Sequence, residues 1–103
     1  MRTLNNTNEI RNEISSGNVC LKFSAEWCGP CRVLSSIIEE VEGDYNNVKF
    51  IEVDVDDVDD SSIIDEYKIK NIPALFFIKN GEVLNKHIGT INHPMLVDEL
   101  NKY

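Results

Sequence analysis

Cysteine is scarce in this chain, with three among 103 residues. An odd, small number is not the disulfide framework of a secreted domain, so a reducing, cytoplasmic setting is the expectation. Proline and glycine are also few, at three and five, and no linker, internal repeat or low-complexity tract is visible. No apolar run approaches the length of a membrane span. The opening residues, Met1-Arg2-Thr3-Leu4-Asn5-Asn6, lack the apolar segment of a signal peptide. Basic residues number 10 against 18 acidic ones, for a net charge of −8. Such a chain repels nucleic acid and anionic membrane surfaces, and no basic cluster interleaved with aromatics argues otherwise. A dinucleotide fingerprint is missing too.

What is present suits an ordinary globular protein. Apolar residues make up 42% of the chain. The length fits one domain over residues 1–103, large enough for a core without metal or structural disulfides. A short strand is expected near 2–4 and a helix over 8–16, with Ile10 and Ile14 on one face and Gly17 as its stop. Residues 19–24 read as an apolar strand. A helix follows, with Pro30 in its first turn and Val33, Leu34, Ile37, Ile38 and Val41 as its apolar face; Gly43 ends it. Residues 48–55 form a further strand and 59–67 a helix, with Ile63, Ile64 and Tyr67 inward. Strands over 74–79 and 82–88 meet at Asn80-Gly81, a pair suited to the positive φ of a hairpin turn. The last helix starts at Asn92 or His93, with Leu96, Val97 and Leu100 inward. Strands separated by helices imply parallel crossovers, and the hairpin adds an antiparallel edge.

Between the second strand and the second helix stands Trp27-Cys28-Gly29-Pro30-Cys31. The spacing brings both sulfurs to one helical turn, close enough to bond. The first lands at a helix N-terminus, where unpaired N–H groups and the dipole favour a thiolate. The second can attack a mixed disulfide formed by the first. A structural pair or half a zinc site is the competing reading, but a zinc site needs a second ligand pair, and only the distant His87 and His93 are on offer. Both histidines are expected to be exposed and without a catalytic role. Cys20 reads as a buried small hydrophobe. The acidic run over 53–60 has no register with the glycine and glutamate of a calcium loop; it reads as a strand end running into a helix cap.

The chain resembles the thioredoxin family. The residues that carry this are Ala25-Glu26-Trp27-Cys28-Gly29-Pro30-Cys31-Arg32, Asn71-Ile72-Pro73, Lys79-Asn80-Gly81-Glu82 and Gly89, in the family's order. The resemblance implies an α/β thioredoxin fold: a central mixed sheet of four to five strands flanked by four helices. It implies a protein-disulfide reductase, a thiol-disulfide oxidoreductase in which Cys28 is the exposed nucleophile and Cys31 the resolving thiol. The Cys28–Cys31 disulfide would be its only redox group, with no bound cofactor. Pro73 corresponds to the family's cis-proline and places the Ile72 backbone beside Cys28, where an extended substrate segment can pair. Without the resemblance, Pro73 reads as an ordinary strand-initiating proline. Trp27 is read as covering the cysteines and lining the docking surface rather than as a core aromatic, and Gly89 as keeping that surface open. Gly29-Pro30 resembles reducing members more than oxidases or isomerases. The implied partners are protein disulfides and a thioredoxin reductase, and the chain is expected to be a monomer. Two other functions fit the same fold: a dedicated donor to one redox enzyme, or a non-enzymatic binding module.

Two positions depart from the family. Lys22 stands where a buried aspartate is usual, and strand alternation puts it with Cys20 and Ser24, opposite Val19, Leu21 and Phe23. An unpaired buried lysine is costly. Either it snorkels to water or it pairs with Glu52 on the next strand, a charge-swapped version of the usual pair. In the second case Glu52 or a water takes over proton transfer. Ser36 stands where many relatives carry a helix-kinking proline, which predicts a straighter helix.

Overall fold

Local signals set where each element begins and ends. The computed structural model describes every residue from Met1 to Tyr103. In chain order the elements are β1 (Arg2–Thr3), α1 (Thr7–Ile14), β2 (Asn18–Ser24), α2 (Gly29–Glu42), β3 (Val48–Asp54), α3 (Ser62–Glu66), β4 (Ala74–Lys79), β5 (Glu82–Ile88) and α4 (His93–Leu100). The strands form one mixed sheet in the order β1-β3-β2-β4-β5. β2 runs parallel to β3 and antiparallel to β4, and β5 closes the edge beyond β4. The hairpin turn holds Asn80 at φ 51° and Gly81 at φ 83°, the positive values its sequence calls for.

Strand alternation divides the core. Val19, Leu21 and Phe23 face the side covered by Ile10 and Ile14 of α1 and Ile63 of α3. On that side Phe23, Tyr67 and Phe76 pack ring against ring, with centroids 4.9–5.7 Å apart. Cys20 faces the other side, with Leu34, Ile38 and Val41 of α2 and Leu96 and Leu100 of α4. Burying one such side chain fully is worth roughly 1.5–3 kcal/mol. Packing therefore holds α1 and α4 in place, because eight-residue helices are too short to stand alone in water.

Three expectations need correction. Val33 is not on the inner face of α2: it is 55% exposed, and Ile37 is only half-buried. Each lies about 100° round the helix from the buried residue that follows it, at the margin of the stripe formed by Leu34, Ile38 and Val41. The third helix is shorter than 59–67, because the acids before it serve as loop anchors. Asp60 accepts from the Ser62 N–H at 2.9 Å, and Asp59 clamps Thr7 on α1. The first helix starts and stops slightly earlier than expected, between a capping Asn6 side chain and Ser15.

The Asp59 clamp ties the loop before α3 to α1. Its carboxylate accepts from the Thr7 N–H at 2.9 Å and the Thr7 hydroxyl at 2.8 Å, and Thr7 is buried. Asp59→Ala is expected to cost about 1–2 kcal/mol by stranding those donors, measured as a lower urea midpoint at constant slope. Thr7→Val in the same background is expected to cost less than it does alone. Simple additivity of the two changes would contradict the clamp.

Candidate active site

Cys28 caps α2. Its φ and ψ are −87° and 107°, the extended backbone of an N-cap, and its sulfur accepts from the Cys31 N–H at 3.2 Å. Pro30 sits in the first turn, where its missing N–H costs nothing. Cys28 and Cys31 are joined as a disulfide, with Cα atoms 5.2 Å apart. The same N-terminal position that orients the sulfur favours negative charge on it once the bond is reduced.

The expectation of an exposed Cys28 does not hold for this oxidised state: Cys28 is 4% exposed and Cys31 2%. The cap geometry folds the Cys28 side chain back over the helix end, against Ala25 and the flank of Ile72. The accessible group is Trp27, at 70% exposure, which excludes a core role for it. Its indole N–H donates to Asp56 at 2.7 Å, which ties the exposed ring to the acidic loop. Arg32 secures the turn from the other side by donating to the Glu26 carbonyl at 2.7 Å.

The Ile72–Pro73 peptide is cis, and Ile72 packs against the cysteine cluster. Gly89 donates its N–H to the Pro73 carbonyl at 2.7 Å. It has φ +91°, and a Cβ there would meet only open space. The glycine is therefore required by backbone conformation, not by crowding. Gly29 likewise borders open space.

Lys22 lies directly behind the disulfide. Its side chain is 1% exposed, so it does not snorkel. Nζ donates to the Cys31 carbonyl at 2.8 Å, to Glu52 at 2.9 Å and to the Ser35 hydroxyl. Three acceptors take the three protons of an ammonium, leaving none unpaired. Lys22 and Glu52 are register partners across β2 and β3, which brings together the pair that the family resemblance implied. Burial pushes the Glu52 carboxyl up. The Lys22 bond and charge, with the hydroxyls of Ser24 and Thr3, outweigh this and hold it below the usual carboxylate range. A polar cleft of about 440 Å³, lined by Lys22, Cys31, Arg32, Ser35, Glu52 and Asp54 among others, opens this network to the surface.

Sequence reasoning missed Ser35, Asp56 and the use of Arg32. Ser35 had a signal: it is four residues after Cys31, on the same helix face, and its hydroxyl donates to the Cys31 carbonyl at 3.1 Å. Asp56 had none, since a loop fold decides where it points. Cys20 is buried, and burial pushes its thiol up to about 12, with the Lys22 charge opposing. It is a packing residue. His87 is half-buried rather than exposed, because its Nε2 bonds the Thr90 carbonyl at 2.7 Å; His93 is exposed. No three His, Cys, Asp or Glu side chains are gathered as a metal site would need.

A carboxyl held low in the fold adds stability above its unfolded pKa, and this is lost as pH falls through the folded value. For Glu52 that window lies below the ordinary 4.5. In acid unfolding, wild type is therefore expected to lose stability more steeply below that pH than Glu52→Gln. Parallel curves for the two proteins would show that the pair contributes nothing.

Comparison with known proteins places this geometry. The thioredoxin family model matches residues 2–102. The thioredoxin of Mycoplasmoides gallisepticum is 38% identical over 92 residues, covering 88% of this chain and 90% of that one. A solved Plasmodium falciparum thioredoxin superposes with a TM-score of 0.89 at 32% identity, covering 100% of this chain and 99% of that chain. A further structure, from work on thiol resolution in a yeast mitochondrial 1-Cys peroxiredoxin via glutathione/thioredoxin systems, gives a TM-score of 0.88 at 27% identity, covering 100% and 95%. With the capped cysteine pair, the mixed sheet and four helices all in agreement, the chain belongs to the thioredoxin family and is a thiol-disulfide oxidoreductase that reduces protein disulfides through its Cys28–Cys31 cycle.

Proposed function

We propose that Cys28 is the attacking thiol and Cys31 the resolving thiol of a general protein-disulfide reductase. The observation that carries this assignment is the cap: the Cys28 sulfur, not that of Cys31, receives the N–H at the start of α2. In the reduced chain the Cys28 thiolate attacks one sulfur of a target disulfide. The other target sulfur leaves with the electron pair and takes a proton from water. Cys31 then loses its proton, and its thiolate attacks the Cys28 sulfur. The second target sulfur leaves and is protonated in turn. The target has gained two electrons and two protons, and the chain holds the Cys28–Cys31 disulfide.

Docking is assigned to the surface around the cap. Trp27 offers an exposed ring, and Ile88, 49% exposed, lies across from Ala74 next to Pro73. An extended target segment would pair with the Ile72 backbone, as in strand addition, over the open backbone at Gly29, Pro30 and Gly89. The proton from Cys31 leaves through the polar cleft, where Glu52 or a water receives it; Lys22 and Glu52 are the supporting pair.

The further assignments rest on this reading. The whole chain, residues 1–103, is taken as one domain acting as a monomer without a bound cofactor. It works in the cytoplasm, and no helix is long and apolar enough to cross a membrane. Its partners are protein disulfides, a peroxiredoxin being one class suggested by the yeast relative, and a thioredoxin reductase that restores the dithiol. Nucleic acid and anionic membranes are disfavoured by the net charge of −8.

Insulin reduction coupled to an NADPH-dependent thioredoxin reductase tests this. Wild type is expected to turn over, and Cys28→Ser to fall to the uncatalysed rate. Cys31→Ser is expected to accumulate Cys28-linked mixed disulfides with several unrelated targets. Turnover by Cys28→Ser would overturn the assignment of the nucleophile. Trapping of one target alone would restrict the protein to a dedicated donor.

A further inference from the structure

Resolution requires Cys31 to ionise inside the fold, where burial disfavours a thiolate. Cys31 is 2% exposed, as enclosed as Cys20, whose thiol burial pushes up even against the opposing Lys22 charge. The charged groups around Cys31 can be named. β2 supplies Lys22, β3 supplies Glu52 and Asp54, the turn supplies Glu26 and α2 supplies Arg32. Ile72, packed on the remaining side, is apolar. Of these charges only Lys22 hydrogen-bonds Cys31, at its carbonyl, 2.8 Å away. Glu52 is bonded to Lys22, Ser24 and Thr3 and makes no hydrogen bond to Cys31. Its side chain is 21% exposed against 1% for Lys22. The pair is thus a dipole with its positive end on the Cys31 backbone carbonyl, within the residue whose thiol must ionise, and its negative end toward solvent.

We infer that Lys22 is a positioning residue that favours the Cys31 thiolate as a standing positive charge, a polarity opposite to that of a buried carboxylate in this place. The inference deepens the reading of Cys31 as the resolving thiol and rests on it. A carboxylate here would repel the thiolate until it took the proton itself. An ammonium attracts the thiolate throughout and need not exchange a proton at all. The Cys31 S–H proton passes to water or Glu52 in the cleft. The Cys31–Cys28 bond forms, the bond from Cys28 to the target sulfur breaks, and that sulfur leaves with the electron pair and is protonated. Lys22 gains and loses nothing. Ser35 fixes the arrangement, accepting from Lys22 while donating to the Cys31 carbonyl.

The test is the titration of Cys31, followed by the NMR shift of a ¹³Cβ-labelled cysteine in full-length Cys28→Ser, where Cys31 titrates without a coupled partner thiol. Adding Lys22→Met is expected to raise the Cys31 midpoint by about one pH unit, the low end of the effect of a close opposite charge because Glu52 offsets part of it. Adding Glu52→Gln, which keeps the Lys22 packing, is expected to lower it. With Cys28 restored, the pH profile of single-turnover resolution of a mixed disulfide is expected to move in the same two directions. An unchanged or lowered midpoint in Lys22→Met would overturn the inference. So would a raised one in Glu52→Gln, because the carboxylate would then be the group that favours the thiolate. Either result with insulin reduction intact leaves the disulfide-reductase reading standing, whereas loss of insulin reduction by wild type strikes that reading itself.

Discussion

A cation in the middle of a sheet covered on both faces must be paired, and this requirement organises the active end of the molecule. Lys22 lies on the central strand and is 1% exposed. Leaving one partner of a buried pair without the other costs several kcal/mol. The fold meets the need from three directions: the neighbouring strand through Glu52, the second helix through Ser35, and the backbone of Cys31. These contacts tie β2, β3 and α2 together directly behind the reactive cysteines. No buried side-chain polar atom in the protein is left without a partner.

The remaining parts of the site follow from how chain ends are satisfied. The N-terminus of α2 has N–H groups to spare, and Cys28 fills the cap position with a sulfur. The acidic stretch from the last residue of β3 onward is spent in a similar way. Asp54 accepts from the Asp56 N–H, Asp56 from the Trp27 indole, Asp59 from Thr7 and Asp60 from Ser62. Most of that negative charge therefore shapes loops, and one residue of it, Asp56, orients the exposed aromatic that precedes Cys28.

Much of this was legible in the chain because the signals were local. Asn80-Gly81 specified its own turn, the alternation in 19–24 divided Cys20, Lys22 and Ser24 from the opposite face, and the cysteine spacing announced a helix start. The Lys22–Glu52 pair was legible through the family resemblance, aligned at Val53-Asp54, and the parallel register of β2 and β3 sets the two residues opposite each other. What escaped depended on tertiary packing. The burial of Cys28 comes from a side chain folding back over its own cap, and the exposure of Val33 from its place at the margin of the buried stripe of α2. Asp56 reaches Trp27 only because a loop turns there, and Ser35 matters only because packing brings its hydroxyl to the Lys22 ammonium.

Behind the disulfide Lys22 stands enclosed, with three hydrogen-bond acceptors around its ammonium. Nitrogen-resolved proton NMR of lysine side chains reads this directly at neutral pH. One NH₃⁺ resonance strongly protected from solvent exchange, and absent in Lys22→Met, is expected. A Lys22 signal with the shift of a neutral amine, or one exchanging as fast as the surface lysines, would contradict it.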